Sequence, residues 1–353
     1  GRKAERVATI ELDSPRGLAF DSRGRLYVVS GKRVLRYDDA RLAEGELGRP
    51  RVVIGPGELV DPGRLIIAPD DRLYVADLGE RHQVRVYNAM GRLSHTIGKP
   101  GGPQHGLYDE TRMARPAGMA VDDRGRLWVA ELDYGPKRIS RWDAQTGAFD
   151  RAWYGPPKYG GGGQPDPRNP ARHFYSSGLQ GIEFTIDLET DTSRPRSIYW
   201  RKGHSPGRCP GTSVYHGGRH YMVNSFYGSS YFTEGSADVY LYDEQRAVAE
   251  RVAHIGRPPG RDEPPAEYLG VKLADHPELK AKLVREAYQG HHKSRFVIWS
   301  DLNRDGKPSV DEVQATNFGM NPVKRDFGGI TFARDLSITT TKDVHIPAPA
   351  FNE

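Results

Sequence analysis

Cysteine is almost absent. Cys209 stands alone among 353 residues, so no disulfide can form within the chain. Zinc or iron–sulfur sites built from several cysteines are excluded for the same reason. Long apolar runs are missing too: nothing reaches the 18 or more residues of a membrane-spanning helix. The chain opens on Gly1-Arg2-Lys3 with no charged-then-apolar leader, as a mature chain with its leader removed would also do. Charge is not one-sided, with 51 Lys and Arg against 46 Asp and Glu and a net +5. No basic block of five or more occurs, so the surface reads as mixed and solvated, with no sequence-specific nucleic-acid partner.

What is present is turn chemistry. There are 41 glycines and 26 prolines, and aromatic residues make up 10% of the chain. That content is too apolar and aromatic for a disordered chain and suits many short strands.

An internal repeat organises these residues. The segment from Pro15 to Val29 recurs from Pro62 to Ala76 and again from Pro116 to Ala130. Each copy opens on a short apolar strand such as Leu18 to Phe20. A turn follows, Asp21-Ser22-Arg23-Gly24 in the first copy, where Gly24 and Gly125 suit a positive φ. Alternating apolar residues then mark a second strand: Leu26 and Val28, Leu73 and Val75, Leu127 and Val129. A third strand runs through Val34 to Tyr37, Val84 to Tyr87 and Ile139 to Trp142; Leu93 to Ile97 is a weaker fourth. Four strands in about 50 residues describe a propeller blade.

Weaker copies continue. Gly181 to Phe184 and Gly329 to Phe332 repeat the first-strand pattern, 213–242 holds another meander, and Phe296 to Trp299 is a further strand. The expected fold is an all-β β-propeller over 1–353. Three clear units and four weaker ones give seven blades, with six as the alternative. Val7 to Ile10 is the expected outer strand of the last blade, closing the ring. Two insertions break the pattern: a Gly/Pro-rich loop at 154–176, and a linker plus short helix at 257–292. In the second, Asp275 is the expected cap, Pro277 sits in the first turn, and Leu279, Leu283 and Ala287 share one face.

The clear units resemble the NHL-repeat family of β-propellers. The resemblance is carried by the Pro-x-Gly lead-in, the Asp-x-x-Gly-x-Leu-[Tyr/Trp]-Val core and the following Val/Ile-x-x-[Tyr/Trp] strand, over 14–155. The chain is also similar to large NHL-containing proteins of planctomycete-type bacteria, mostly of unassigned function. Tyr159 to Gly163 and the loop described next carry that second likeness, and it implies no activity. The family resemblance implies either a binding propeller or a central-channel enzyme with a metal held by His, Asp or Glu.

One motif carries explicit chemistry. Asp301 to Glu312 matches a calcium loop at every ligand position. Asp301, Asn303 and Asp305 supply oxygens at positions 1, 3 and 5, and Lys307 a backbone carbonyl at position 7. Ser309 serves position 9, directly or through water, Glu312 is the bidentate twelfth, and Gly306 permits the sharp turn. A strand precedes the loop and Pro308 discourages a helix after it, so a structural calcium between strands is expected. Calcium of this kind points outside the cytosol, to a secreted or periplasmic protein, where millimolar calcium fills modest sites.

Catalytic candidates are fewer. Glu183 interrupts an apolar first strand, the strand that lines a propeller channel, and could be a base or metal ligand there. His204 and His216, with His220, cluster around Cys209 and could hold a second divalent metal in the channel. The alternative for Glu183 is pairing with arginine, and for the histidines a place in turns or at the surface. Cys209, before Pro210, reads as a packed thiol. The tyrosine-rich middle, from Tyr154 to Tyr231 with Trp200, suits packing first and sugar or protein contact second. Two function classes follow: a binding or scaffold module for a protein or glycan, or a channel-sited lyase or hydrolase acting on a carbohydrate or small polar substrate.

Overall fold

The computed structural model describes residues 9–38, 40–41, 46–155, 163–223, 236–256, 263–289, 295–317, 330–340 and 345–347. Val7 and Ala8, Tyr159 to Gly162, Tyr227, Tyr231, His291, His292 and Gly329 lie outside them. The fold is nearly all-β, built of antiparallel meanders of the β-propeller class, with the one described helix at Pro277–Glu286. Contacts divide the chain into two compact units, 1–104 with 109–156, and 105–108 with 157–353.

The first unit holds three four-stranded sheets, one for each clear repeat. Pro15–Phe20, Leu26–Ser30, Arg33–Tyr37 and Arg51–Ile54 form the first. Pro62–Ile67, Leu73–Asp77, Gln83–Tyr87 and Leu93–Ile97 form the second. Pro116–Val121, Arg126–Glu131, Arg138–Asp143 and Phe149–Tyr154 form the third.

Strand periodicity decides how these sheets pack. In Leu73–Asp77 every residue is buried. Leu73 and Val75 face Tyr27, Val29 and Val34 of the first sheet. Tyr74, with Val84 and Val86, faces Leu127, Val129 and Trp142 of the third. The period of two thus feeds two cores at once, because successive side chains leave opposite faces.

The turns explain the repeated Asp and Gly. Asp21 Oδ1 accepts the backbone N–H of Arg23 at 3.0 Å and of Arg25 at 2.8 Å, and its other oxygen takes Arg25 Nε at 2.6 Å. Asp122 repeats this with Arg124 and Arg126, and adds Trp128 Nε1 at 2.8 Å. Gly24 and Gly125 have φ of +75° and +71°. The middle repeat lacks that glycine, and Asp71 adopts φ 60° in its place. Its carboxylate is anchored by Ser22 N–H at 2.9 Å and Ser22 Oγ at 2.7 Å. Aspartate tolerates the left-handed region better than most residues, and these bonds help fix it there.

The second unit departs further from the sequence pattern. A five-stranded sheet orders Gly106–Leu107, Thr192–Arg201, Gln180–Asp187, Asn169–Ser176 and Gln164–Asp166. A six-stranded sheet follows in chain order: Thr212–His216, Arg219–Val223, Ser236–Asp243, Val248–Gly256, Arg295–Ser300 and Val313–Asn317. Ile330–Phe332, Ile338–Thr340 and His345–Ile346 make a third sheet.

Three expectations are corrected here. The segment 154–176 is not simply a loop: Gln164–Asp166 and Asn169–Ser176 are strands. Glycine and proline in the segment mask a strand whose apolar content is low. As a result Gln180–Asp187, which carries Glu183, lies in the middle of its sheet, not at the first-strand position. The helix in 257–292 is present, with Leu279, Leu283 and Ala287 buried against Tyr268, Val297 and Trp299. Its cap is His276 with no side-chain bond, not Asp275, and Pro277 starts the first turn.

Candidate functional site

The calcium-type loop joins Arg295–Ser300 to Val313–Asn317, which pair as a hairpin. Backbone N–H groups wrap its acids. Asp301 accepts Asp305 N–H at 3.1 Å and Gly306 N–H at 3.0 Å. Asn303 Oδ1 also takes the Asp305 N–H, at 2.9 Å, and Asp305 takes that of Lys307 at 2.8 Å. Gly306 turns at φ +72°. Glu312 is buried and closes the loop, accepting Leu302 and Asn303 N–H on one oxygen and Ser309 N–H and Oγ on the other. Burial pushes the Asp301 carboxyl up; the Gly306 N–H opposes this, and the Glu312 and Asp305 charges reinforce it. A cation at the loop would reverse that cost. Among the described residues, no three or more His, Cys, Asp or Glu side chains converge as a metal-holding group. Glu312 is turned to backbone N–H groups, and would have to release some of them to bind a cation through both oxygens.

Glu183 occupies a different setting from a channel base. It is fully buried. Arg172 Nε reaches Oε1 at 2.7 Å. Oε2 receives Arg196 Nη1 at 2.7 Å, Tyr242 Oη at 2.5 Å and Ser197 Oγ at 3.2 Å. Four donors occupy both oxygens of this carboxylate. Their arrangement is that of a structural brace between two sheets of the second unit.

Arg172 carries the network outward. Its terminal nitrogens grip both oxygens of Glu244 at 3.1 and 3.0 Å, and one lies 3.3 Å from Asp166. Asp166 in turn accepts Tyr215 Oη at 2.7 Å. Glu244 Oε1 lies 2.8 Å from His220 Nδ1, and His220 Nε2 lies 3.0 Å from Ser213 Oγ. Burial holds His220 below the usual imidazole range, although the Glu244 carboxylate works the other way. Bonds from Arg172 and His220 hold Glu244 below the usual carboxylate range, against its own partial burial. A cleft of about 470 Å³ opens beside this chain, lined by Tyr215, Arg219, His220, Tyr242, Glu244 and Arg304.

The structure separates the other candidates. His204 is exposed in a turn after Thr192–Arg201, and its ring lies 6.5 Å from that of His105. His216 ends the strand Thr212–His216, at the hairpin tip, where its charge acts on Asp335. His204, His216 and Glu183 thus have different neighbours, and among the described residues they make no metal cluster. Cys209 packs its sulfur against Tyr199 Oη, and burial pushes the thiol up to about 12. Tyr199, Trp200 and Tyr221 are buried core residues. Tyr215 is covered on its ring by His220 at 4.4 Å and Arg168 at 4.0 Å.

Sequence reasoning missed Arg172, Arg196, Tyr242, Glu244 and Ser213. They come from four strands and the turn after one of them, with no shared spacing. His220 was legible only as one histidine of three.

In the first unit the leading strands of the sheets line a cleft of about 840 Å³. Its wall includes Arg16, Leu18, Arg64, Ile66 and Met119 and, among the described residues, no carboxylate or histidine.

No family model matches the chain, and no curated protein matches it. Among solved structures it is similar to a streptogramin B lyase, at 11% identity over 96% of this chain and 93% of that one, TM-score 0.31. It is similar to a chain of a nidogen/laminin complex, at 14% identity over 67% and 78%, TM-score 0.31. A gluconolactonase of Xanthomonas campestris matches at 19% identity over 59% and 68%, TM-score 0.29. These likenesses do not extend to activity or partner.

Proposed function

We propose that the chain is a binding module of the β-propeller class, stabilised by one structural calcium ion and working outside the cytosol on a protein or glycan partner. The observation that carries this reading is the hairpin loop 301–312. Its N–H groups already wrap Asp301, Asn303 and Asp305, and the charges of Asp305 and Glu312 bear on Asp301. Asp301, Asn303, Asp305, the Lys307 carbonyl, Ser309 and Glu312 would hold the ion. The ion would neutralise the acids and cross-link a hairpin that no disulfide can staple.

The binding half of the proposal draws on exposed aromatic surface. Trp153 is 42% exposed and stacks on Trp128 at 5.1 Å. Arg141 lies over both rings, at 5.2 and 5.4 Å. Such a platform suits a sugar ring or an apolar side chain of a partner. Glu183, with four donors on it, is a poor candidate for a channel base. Calcium titration by calorimetry, with a glycan and protein binding survey of the parent and Trp153→Ala, tests the proposal. One bound calcium, and partner binding lost in the variant, would support it. Absence of calcium binding would remove its first half, and partner binding unchanged by Trp153→Ala its surface.

A further inference from the structure

Each clear repeat opens on a leading strand that carries one irregularity. Register shifts fall between Pro15 and Leu18, between Pro62 and Leu65, and between Pro116 and Gly118. In the first two strands the shifted residues are Arg16 with Gly17, and Gly63 with Arg64. Such a bulge re-aims side chains that regular pleating would alternate between two faces. Arg16 and Arg64 both line the cleft of about 840 Å³ in the first unit. The two strands approach closely there. A Cβ on Gly17 would lie 2.6 Å from the Leu65 nitrogen and 2.9 Å from Arg64 Cα. Glycine at position 17 therefore lets the backbones that carry the two arginines come together.

The two cations differ in their partners. Arg16 pairs with Asp61 and donates to the Pro62 carbonyl at 3.1 Å. Arg64 is exposed and has no ion pair among the described residues. The rest of the wall is glycine, alanine and aliphatic side chains, among them Leu18, Ile66, Met119 and Leu132. Leu18 is 64% exposed and Leu132 52%, so aliphatic surface faces solvent. Exposed apolar surface beside charge of one sign marks a binding face. Among the described residues the wall holds no side-chain hydroxyl, amide, carboxylate or imidazole, and no aromatic ring. Sugar hydroxyls and nucleobases would find neither side-chain partners nor a stacking surface there. What fits is a chain of methylenes that ends in an anion.

We propose that this cleft binds unbranched aliphatic carboxylates, with the carboxylate on Arg64 and Arg16 and the chain along Leu18, Ile66, Met119 and Leu132. A guanidinium presents parallel N–H donors that match a carboxylate. Methionine adapts its shape to a flexible chain. Removal of methylenes from water supplies the rest of the affinity. The site includes neither Trp153 nor the loop 301–312, and it does not rest on the calcium-dependent binding proposed above.

The test is calorimetric titration of the full chain with sodium decanoate, kept below its micelle concentration, beside sodium acetate and decylammonium chloride. One decanoate per chain is expected, with no saturable binding of acetate and weaker binding of decylammonium. Arg64→Gln should weaken decanoate about tenfold, and Arg64→Lys less. Leu18→Asn should also weaken it, by removing apolar wall. Both side chains are exposed, so melting curves should match the parent and separate lost binding from lost fold. Saturable decanoate binding that is absent from the parent, or unchanged in folded Arg64→Gln or Leu18→Asn, would overturn the proposal. So would acetate or decylammonium that binds as tightly as decanoate, comparisons that need no variant.

Discussion

Arg172 donates Nε to Glu183 at 2.7 Å and, with its two other nitrogens, clasps Glu244. One guanidinium therefore ties a fully buried carboxylate to one at the cleft wall. Burial works against the charged guanidinium, but its carboxylate partners outweigh it and hold Arg172 above its ordinary range. The pairing accounts for a fully buried acid in the strand Gln180–Asp187.

Removing the buried acid should be costly. Glu183→Ala leaves Arg172 and Arg196 without their shared partner and Tyr242 Oη without its acceptor. Breaking a buried pair on one side costs about 3–5 kcal/mol. Urea denaturation should show that loss, with Glu183→Gln intermediate. A Glu183→Ala chain as stable as the parent would show that the brace is not structural.

Acid should destabilise the second unit in an identifiable step. His220 faces Glu244, Ser213 and Tyr215, with the charges of Asp166 and Arg172 also acting on it. Its folded value lies below 6.5 because burial disfavours the imidazolium. Below pH 6.5 the unfolded chain binds a proton that the folded chain resists. This contribution is therefore full above 6.5 and is lost as pH falls through the folded value. His220→Gln should flatten this part of the stability–pH curve. In the first unit Asp109 gives a separate, lower step: burial opposes its ionisation, but bonds from Thr111 and Lys99 bring it to about 2, so its contribution fades between 3.8 and about 2.

The repeat turns offer a backbone test. A Cβ at Gly125 or Gly24 meets nothing within 4 Å, so the cost of alanine there is conformational alone. With φ near +70° at both, each Gly→Ala change should cost about 1 kcal/mol, and the pair should add. Chemical denaturation of the single and double variants checks this. Neutral substitutions would mean that the turns relax without loss.

The first unit was legible because its three copies share turn chemistry. Asp21 and Asp122 use the same bonds, and alternation sends Leu73 and Tyr74 to opposite cores. The second unit was less legible. The strand Asn169–Ser176 carries Arg172 and His173 among its residues, and polar side chains that serve a buried network erase the period of two. Glu183 looked functional for the same reason: a charge in an apolar strand is visible, but its partners at 172, 196 and 242 are not. The loop 301–312 was legible from spacing alone, since its turns are local.

The central claim is that this loop takes calcium as a structural cross-link. The most direct measurement is the melting curve of the full chain with millimolar calcium and with chelator, for the parent and for Asp301→Ala with Asp305→Ala. The account predicts a higher Tm with calcium in the parent and no calcium response in the double variant. Superimposable parent curves in calcium and chelator would contradict it.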